Sequence, residues 1–156
     1  MHAFKQVIYL LCLTMLGACA GAPTQQMADA RMELKAAEEA GAKENAQESL
    51  LRARKTLSIA EQQLELGNYY DARVAADKAR DEASNARLVA LAITHAKEII
   101  ARAQKINADL AAAQQALQAA QEAARLNKME RALSEAIQAE ELAIKAEKHA
   151  KEKNEQ

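Results

Sequence analysis

The chain has 156 residues, including 21 Lys and Arg against 22 Asp and Glu, so its formal net charge is −1 and its charges are almost balanced. About a quarter of the residues are Ala, aromatic residues make up 3%, and Trp is absent. Acidic and basic residues alternate along the chain without forming a basic patch, which argues against nucleic-acid binding and predicts solvated helix faces.

The first predicted element is a signal segment over residues 1–18. Lys5 precedes a run of about a dozen apolar residues, and small residues close the run. This order is typical of a secretory signal, and the run is shorter than the roughly 20 residues that a membrane-spanning helix needs. A buried core helix is the alternative, but it would carry polar residues on one face, and only Thr14 is polar between Val7 and Met15.

The apolar run ends in the sequence LGAC at residues 16–19. This motif resembles the lipobox of bacterial lipoprotein precursors. The resemblance implies cleavage between Ala18 and Cys19, followed by acylation of the Cys19 thiol and of its new amine. Ala20 stands where an aspartate would signal retention in the inner membrane, so the resemblance implies the periplasmic face of the outer membrane of a Gram-negative cell.

Acylation would give the chain a stable anchor, because each buried CH₂ group contributes about 0.8 kcal/mol and two or more acyl chains hold a protein on a bilayer. Cys12 lies in the segment that would be removed. No thiol would then remain free, so neither a disulfide nor a Cys-based metal site is predicted.

The rest of the chain is predicted to be all-α, because Ala, Glu, Lys, Gln, Arg and Leu favour helices and no proline follows Pro23. Residues 19–24 form the acylated cysteine and a short tether, 25–151 an Ala-rich helical domain, and 152–156 a frayed tail. Apolar residues at spacings of three and four predict helices over 25–40, 45–66, 69–107, 108–126 and 129–151. Gly41 and Gly67 stand at helix ends, where a left-handed residue is favoured. The predicted fold is an elongated antiparallel helical-hairpin bundle of about five helices.

Two predicted hairpins overlay when the chain is shifted by about 60 residues, which indicates an internal repeat of common geometry or common origin. Three leucine pairs coincide under this shift: Leu50 with Leu110, Leu57 with Leu117, and Leu66 with Leu126. The turn at Gly67, with Tyr69, Ala72 and Ala79, also resembles the hairpin turn of tetratricopeptide repeats, although the period departs from that family's 34 residues.

A wider resemblance covers most of residues 19–156. This part of the chain is similar to a family of small bacterial lipoproteins in the order of its features. They are APT at 22–24, Met27, GA at 41–42, the helix containing Leu50 and the sequence GNYYDAR at 67–73. That family is labelled as a domain of unknown function, and some of its members are fused to an OmpA-like peptidoglycan-binding domain. The resemblance implies a helical envelope protein and brings no catalytic residues.

Few residues are candidates for chemistry. Metal sites in bundles use paired Glu-x-x-His motifs, but alanines stand three residues before both His95 and His149. The serines lie on predicted helices away from any Gly-rich loop, where a nucleophilic site is not expected. We therefore predict no enzyme activity, no metal and no cofactor. Tyr69 and Tyr70 are predicted either to pack over the hairpin corner or to form an exposed partner surface.

The predicted Ala stripes allow close helix packing but bury little apolar area per residue. Either helix propensity and length make up the difference, or a second chain packs on the Ala face of the third or fifth helix. Such narrow stripes argue against a surfactant binder, which exposes broad apolar faces. The sequence thus favours a non-catalytic, lipid-anchored periplasmic scaffold or adaptor, with membrane lipid and a protein as partners. The alternative is an envelope spacer that self-associates through its Ala stripes.

Overall fold

A computed structural model describes residues 22–154 of the chain. Helices account for 87% of these residues, and no strand occurs among them, which confirms the predicted all-α helical bundle. Six helices form the described part of the chain: α1 (Thr24–Glu39), α2 (Ala42–Asn45), α3 (Gln47–Glu65), α4 (Tyr69–Gln104), α5 (Ala111–Arg125) and α6 (Met129–Asn154). The single-turn helix α2 was not predicted, and it separates the first two predicted helices.

The observed helix ends have local causes. Gly41 has φ +83° and ends α1, and Ala46, with φ −147° and ψ 39°, separates α2 from α3. The helix α4 stops three residues before the predicted end because Asn107 adopts φ +56°. The predicted frayed tail is helical as far as Asn154. Lys151 donates to Glu147 over 2.7 Å one turn back, and such late-turn cations favour helix ends. Residues 155–156 lie outside the described range.

The first three helices and most of α4, as far as Lys97, form an N-terminal unit. Arg31 pairs with Glu61 over 2.7 Å, and Glu38 pairs with Arg54, so α1 runs antiparallel to α3. Arg87 of α4 bonds Glu33 of α1 over 2.6 Å. The single turn α2 is held at the far end of this unit, where Asn45 donates to Thr94 over 3.0 Å and accepts from Lys97 over 2.6 Å.

The second part of α4 forms a C-terminal unit with α5 and α6. His95 contacts Glu140 over 3.0 Å, and Arg102 contacts Glu147 over 2.9 Å, so α6 runs parallel to α4 at a constant offset. Since α4 contributes to both units, it is the central helix of the molecule. Its 36 residues span about 54 Å.

The core consists mostly of alanine methyl groups. The Ala stripe of α4 is fully buried from Ala72 to Ala86, and that of α6 is fully buried from Ala132 to Ala143. Larger side chains are fully buried at only a few places, which include Met27, Leu50, Val89 and Ile93. The Ala faces that the sequence left available for a second chain are therefore already packed against this chain's own helices.

The two hairpin turns share one hydrogen-bonding pattern. The amide of Gly67 donates to Leu64 and that of Asn68 donates to Gln63, over 3.0 and 2.9 Å. The same pattern recurs about 60 residues later: Asn127 donates to Ala124 over 3.1 Å, and Lys128 donates to Ala123 over 2.8 Å. Both are Schellman turns with a left-handed residue, at φ +76° for Gly67 and +55° for Asn127. The repeat therefore extends from the buried residues to the backbone of the turn.

Replacing Gly67 by alanine should lower the free energy of unfolding by about 1 kcal/mol, because an L-residue is disfavoured at positive φ. No described atom lies within 4 Å of the added methyl position, so the cost comes from the backbone alone. The shift of the urea midpoint measures it. Gly67→Asn is the matched control and should cost less, since Asn127 already adopts this conformation. Equal stability of Gly67→Ala and the wild type would contradict the argument.

Candidate functional site

The histidines of the described helices lie at the surface, each beside a glutamate. The exposed fraction of the His95 side chain is 57%, and its Nδ1 atom lies 3.0 Å from Glu140. His149 lies 3.6 Å from Glu152 on the same helix. Among residues 22–154 there is no group of three or more His, Cys, Asp or Glu side chains that could hold a metal ion. The geometry gives His95 a structural part, which is to join α4 to α6.

Ser49 is a buried polar residue that joins the two units. Its hydroxyl donates to the side-chain carbonyl of Asn127 over 2.5 Å and lies 2.8 Å from the sulfur of Met129. Every buried side-chain N or O atom of the described residues has a hydrogen-bond partner. Ser49 thus fastens the α5–α6 turn to the start of α3. Its partner lies 78 residues further along the chain, so the sequence around Ser49 carries no local signal for this contact.

The turn between α3 and α4 carries exposed apolar and aromatic side chains, and we name it the α3–α4 tip: Leu66, Tyr69 and Tyr70. Their exposed fractions are 70%, 39% and 76%. Tyr70 is therefore largely exposed, together with the backbone at Gly67, whereas more than half of Tyr69 is covered.

The described chain begins part of the way along α4, about 13 Å from the α3–α4 tip. Glu33 bonds Arg87, and a Cβ atom at Gly41 would lie 3.9 Å from the Thr94 hydroxyl, so α1 runs parallel to α4 with Thr24 level with about Lys78. Pro23 is fully buried, so the start of α1 is fixed against the bundle. The predicted cleavage and acylation site at Ala18 and Cys19 lies outside the described residues, as does the whole predicted signal segment.

A second apolar surface follows the groove between α4 and α6, and we name it the α4–α6 flank: Leu88, Leu91, Ile137 and Ile144. Each of these side chains is 46% exposed. They stand one or two turns from His95 or Glu140, which contact each other across the groove. The flank is therefore a set of half-exposed aliphatic side chains beside the polar His95–Glu140 contact.

Two glutamates are held by pairs of cations. Lys151 and Arg102 donate to Glu147, and these hydrogen bonds lower the pKa of that carboxyl below its ordinary value of 4.5. Arg54 and Lys43 lower the pKa of Glu38 in the same way. Each cluster links neighbouring helices, so protonation of either carboxylate weakens a contact between helices.

The stability of the protein should fall on acidification below about pH 4.5. Both carboxylates have a lowered pKa in the folded state, so the unfolded chain binds protons first as the pH falls. The stabilisation is complete above the ordinary pKa and is lost as the pH passes through the folded pKa. Urea midpoints at pH 7, 5 and 3 measure the effect, which should be smaller for Glu147→Gln. Glu141→Gln, at an exposed site on the same helix, is the control. An unchanged pH dependence in Glu147→Gln would contradict the assignment.

Comparison with known proteins found no match among protein-family models, curated proteins or solved structures. Within residues 22–154, no helix combines the length and apolar character that crossing a bilayer requires.

Proposed function

We propose that this protein is a non-catalytic, lipid-anchored scaffold or adaptor on the periplasmic face of the outer membrane. The observation that carries the proposal is LGAC at residues 16–19, directly after an apolar run with a preceding lysine. Only the four residues 20–23 separate Cys19 from the first helix, so they span at most about 14 Å. An acylated Cys19 would hold the helical body close to the bilayer.

The described body supports a binding role rather than a catalytic one. Its buried polar atoms are satisfied, and its buried serine is engaged in joining two helical units. What it offers to other molecules is surface, namely the α3–α4 tip and the α4–α6 flank. The flank combines half-exposed aliphatic side chains with the polar His95–Glu140 contact, a mixture that suits a protein partner because interfaces join an apolar centre to a polar rim.

A self-associating spacer is the alternative, and the burial of the Ala stripes bears on it. The stripes from Ala72 to Ala86 and from Ala132 to Ala143 pack inside one chain. Self-association would therefore have to use another surface, such as the α4–α6 flank. Photo-cross-linking from a residue introduced at Ile144 distinguishes the adaptor from the self-associating spacer. Glu130 on the same helix is the control site. A product at twice the chain mass favours the spacer, and a product with a different protein favours the adaptor.

The mass of the protein isolated from the cell envelope tests the proposed anchor. We expect a chain that begins at Cys19 and carries acyl groups on both its thiol and its amine. A chain that retains residues 1–18, or one that begins elsewhere with an unmodified thiol, would contradict the proposal.

A further inference from the structure

We propose that a groove on the second hairpin, α5–α6, receives the α3–α4 tip of a second copy of this chain, so that copies join head to tail. The inference goes beyond the proposed function, because it does not depend on the acylation of Cys19. It uses neither the Ala stripes nor the α4–α6 flank, so it is compatible with a scaffold as much as with a spacer. The groove has a volume of about 390 Å³, and we name it the α5–α6 groove: Asn107, Asp109, Ala112, Leu142, Lys145 and His149.

The first argument is that the first hairpin, α3–α4, already holds a turn of this chain in an equivalent groove. The hydroxyl of Ser49 donates to the side-chain carbonyl of Asn127 over 2.5 Å and lies 2.8 Å from the sulfur of Met129. Three more residues of the first hairpin line this contact: Arg52, Glu82 and Asn85. The turn between α5 and α6 is therefore seated on the first hairpin.

The internal repeat relates the two grooves to each other. The shift of about 60 residues that overlays the hairpins also overlays the residues that line the grooves. The pairs are Ser49 with Asp109, Arg52 with Ala112, Glu82 with Leu142, Asn85 with Lys145, and Val89 with His149. The same shift carries Gly67 onto Asn127, within turns of one hydrogen-bonding pattern. The α3–α4 tip and the α5–α6 groove are thus the two sides of a contact that the chain already makes internally.

The second argument is burial. In the first hairpin, Val89 is 2% exposed and Ala90 is fully buried. At the equivalent places in α6, the side chain of His149 is 68% exposed and Ala150 is only partly buried. The described helices therefore leave uncovered in the second hairpin what they cover in the first. Repeat proteins stack successive units through the same surface, so a hairpin turn is the occupant that this groove fits.

The third argument is charge complementarity. The α5–α6 groove is lined by two lysines and one acid: Lys145, Lys153 and Asp109. The α3–α4 tip is flanked at exposed positions by two acids and one base: Glu65, Asp71 and Arg73. The net charges of the groove and the tip are therefore opposite, which favours their encounter and fixes the register of the contact.

The contact has to join two copies, because the tip and the groove lie far apart in one molecule. The contact of His95 with Glu140 sets Lys145 level with about Ile100 of α4. The tip precedes α4, so it lies about 46 Å from the groove along the helix axis. A contact between two unlike surfaces is heterologous, and a third copy can add to it in the same way. The assembly is then an open chain of copies or a closed ring.

Photo-cross-linking from the tip tests this contact in cells that produce the full chain. Benzoylphenylalanine replaces Tyr70, where it keeps an aromatic ring at a position that is 76% exposed. We expect a product at twice the chain mass, in which the probe is attached to residues 142–153 of the other copy. Glu130 is the matched control site, because it holds the equivalent place in the turn that is already seated within the chain. A probe at Glu130 should give only cross-links within one chain.

A charge reversal in the groove tests the site in a second way. Lys145→Glu adds an acid to the groove that receives the acidic tip. It should lower the yield of the Tyr70 cross-link about threefold or more, the size of effect that exposed charge pairs produce. Asn85→Glu is the matched control at the equivalent position of the first hairpin, and it should leave the yield unchanged. Lys145 and Asn85 are both exposed, so neither change should unfold the chain.

The outcomes decide the proposal. A doubled product attached outside residues 142–153, a product with a different protein alone, or no product overturns the contact. An equal yield from Lys145→Glu and Asn85→Glu overturns the assignment of the groove. The mapping of the Tyr70 cross-link needs only one substitution at an exposed site, so it stands apart from the fold of the groove variants. The mass of Cys19 is measured on the same material, so a failure of the proposed anchor and a failure of this contact are distinguishable.

Discussion

Replacing Cys19 by alanine should move the protein from the outer-membrane fraction to the soluble periplasmic fraction. The acyl chains carry the attachment in the proposed function, because two or more chains bind stably where a single chain binds only marginally. The substitution also creates three consecutive alanines at residues 18–20, which fit the A-x-A pattern of ordinary signal cleavage. We therefore expect release rather than retention by an uncleaved signal segment.

Fractionation and mass measurement on the same cells check this prediction. Cys12→Ala is the matched control, because Cys12 lies in the segment to be removed, and this variant should remain acylated in the outer membrane. A Cys19→Ala protein that still pellets with the membrane and still carries acyl groups would refute the anchor. Release of the Cys12→Ala protein would show that the attachment depends on Cys12, contrary to its assignment to the removed segment.

Replacing Ile93 by alanine should lower the free energy of unfolding by about 2–5 kcal/mol, the range for aliphatic-to-alanine changes in a core. Ile93 is fully buried and is one of the few large side chains among the core alanines. It belongs to the same buried cluster as residues of α1, α3, α5 and α6. Neighbouring alanine methyl groups are short and cannot close the resulting cavity, so we expect a cost in the upper part of that range.

Thermal and urea unfolding measure this loss. A change of 1 kcal/mol shifts the Tm of a chain of this size by roughly 2–4 °C, so the Tm of Ile93→Ala should fall by roughly 10 °C. Leu91→Ala, two residues away on the same helix, is the control. Leu91 is 46% exposed, and its replacement should change the stability far less. Equal losses of stability for the two variants would contradict the contribution to the core that is assigned to Ile93.

The helices could be predicted because the spacing of apolar residues is a local property. Leu50, Ala53 and Leu57 define one face of α3 without reference to any other helix. The single turn α2 could not be predicted in this way. It depends on Asn45 meeting Thr94 and Lys97, about 50 residues further along the chain. Likewise, Asn127 carries a side chain that disfavours positive φ, although it adopts the same left-handed conformation as Gly67.

The candidate surfaces were harder to predict than the helices. Ile137 and Ile93 are identical residues on regular helices, yet one is 46% exposed and the other is fully buried. Their difference depends on which helix packs on which face, and a single sequence does not specify that packing. The possible contact role of Tyr69 and Tyr70 was visible from their place after Gly67. The acylation of Cys19 remains a prediction from the motif alone.

The continuous helix α4 has a mechanical consequence. Its 36 residues pass from the N-terminal unit into the C-terminal unit without a break, so no hinge residue is available between the units. Bending one unit against the other would break backbone hydrogen bonds of α4 and detach Ser49 from Asn127. A load applied at the tip should therefore reach the end of α6 as a rotation of the entire body. If one end of the body is held at a membrane, the other end would be held at a fixed distance from it.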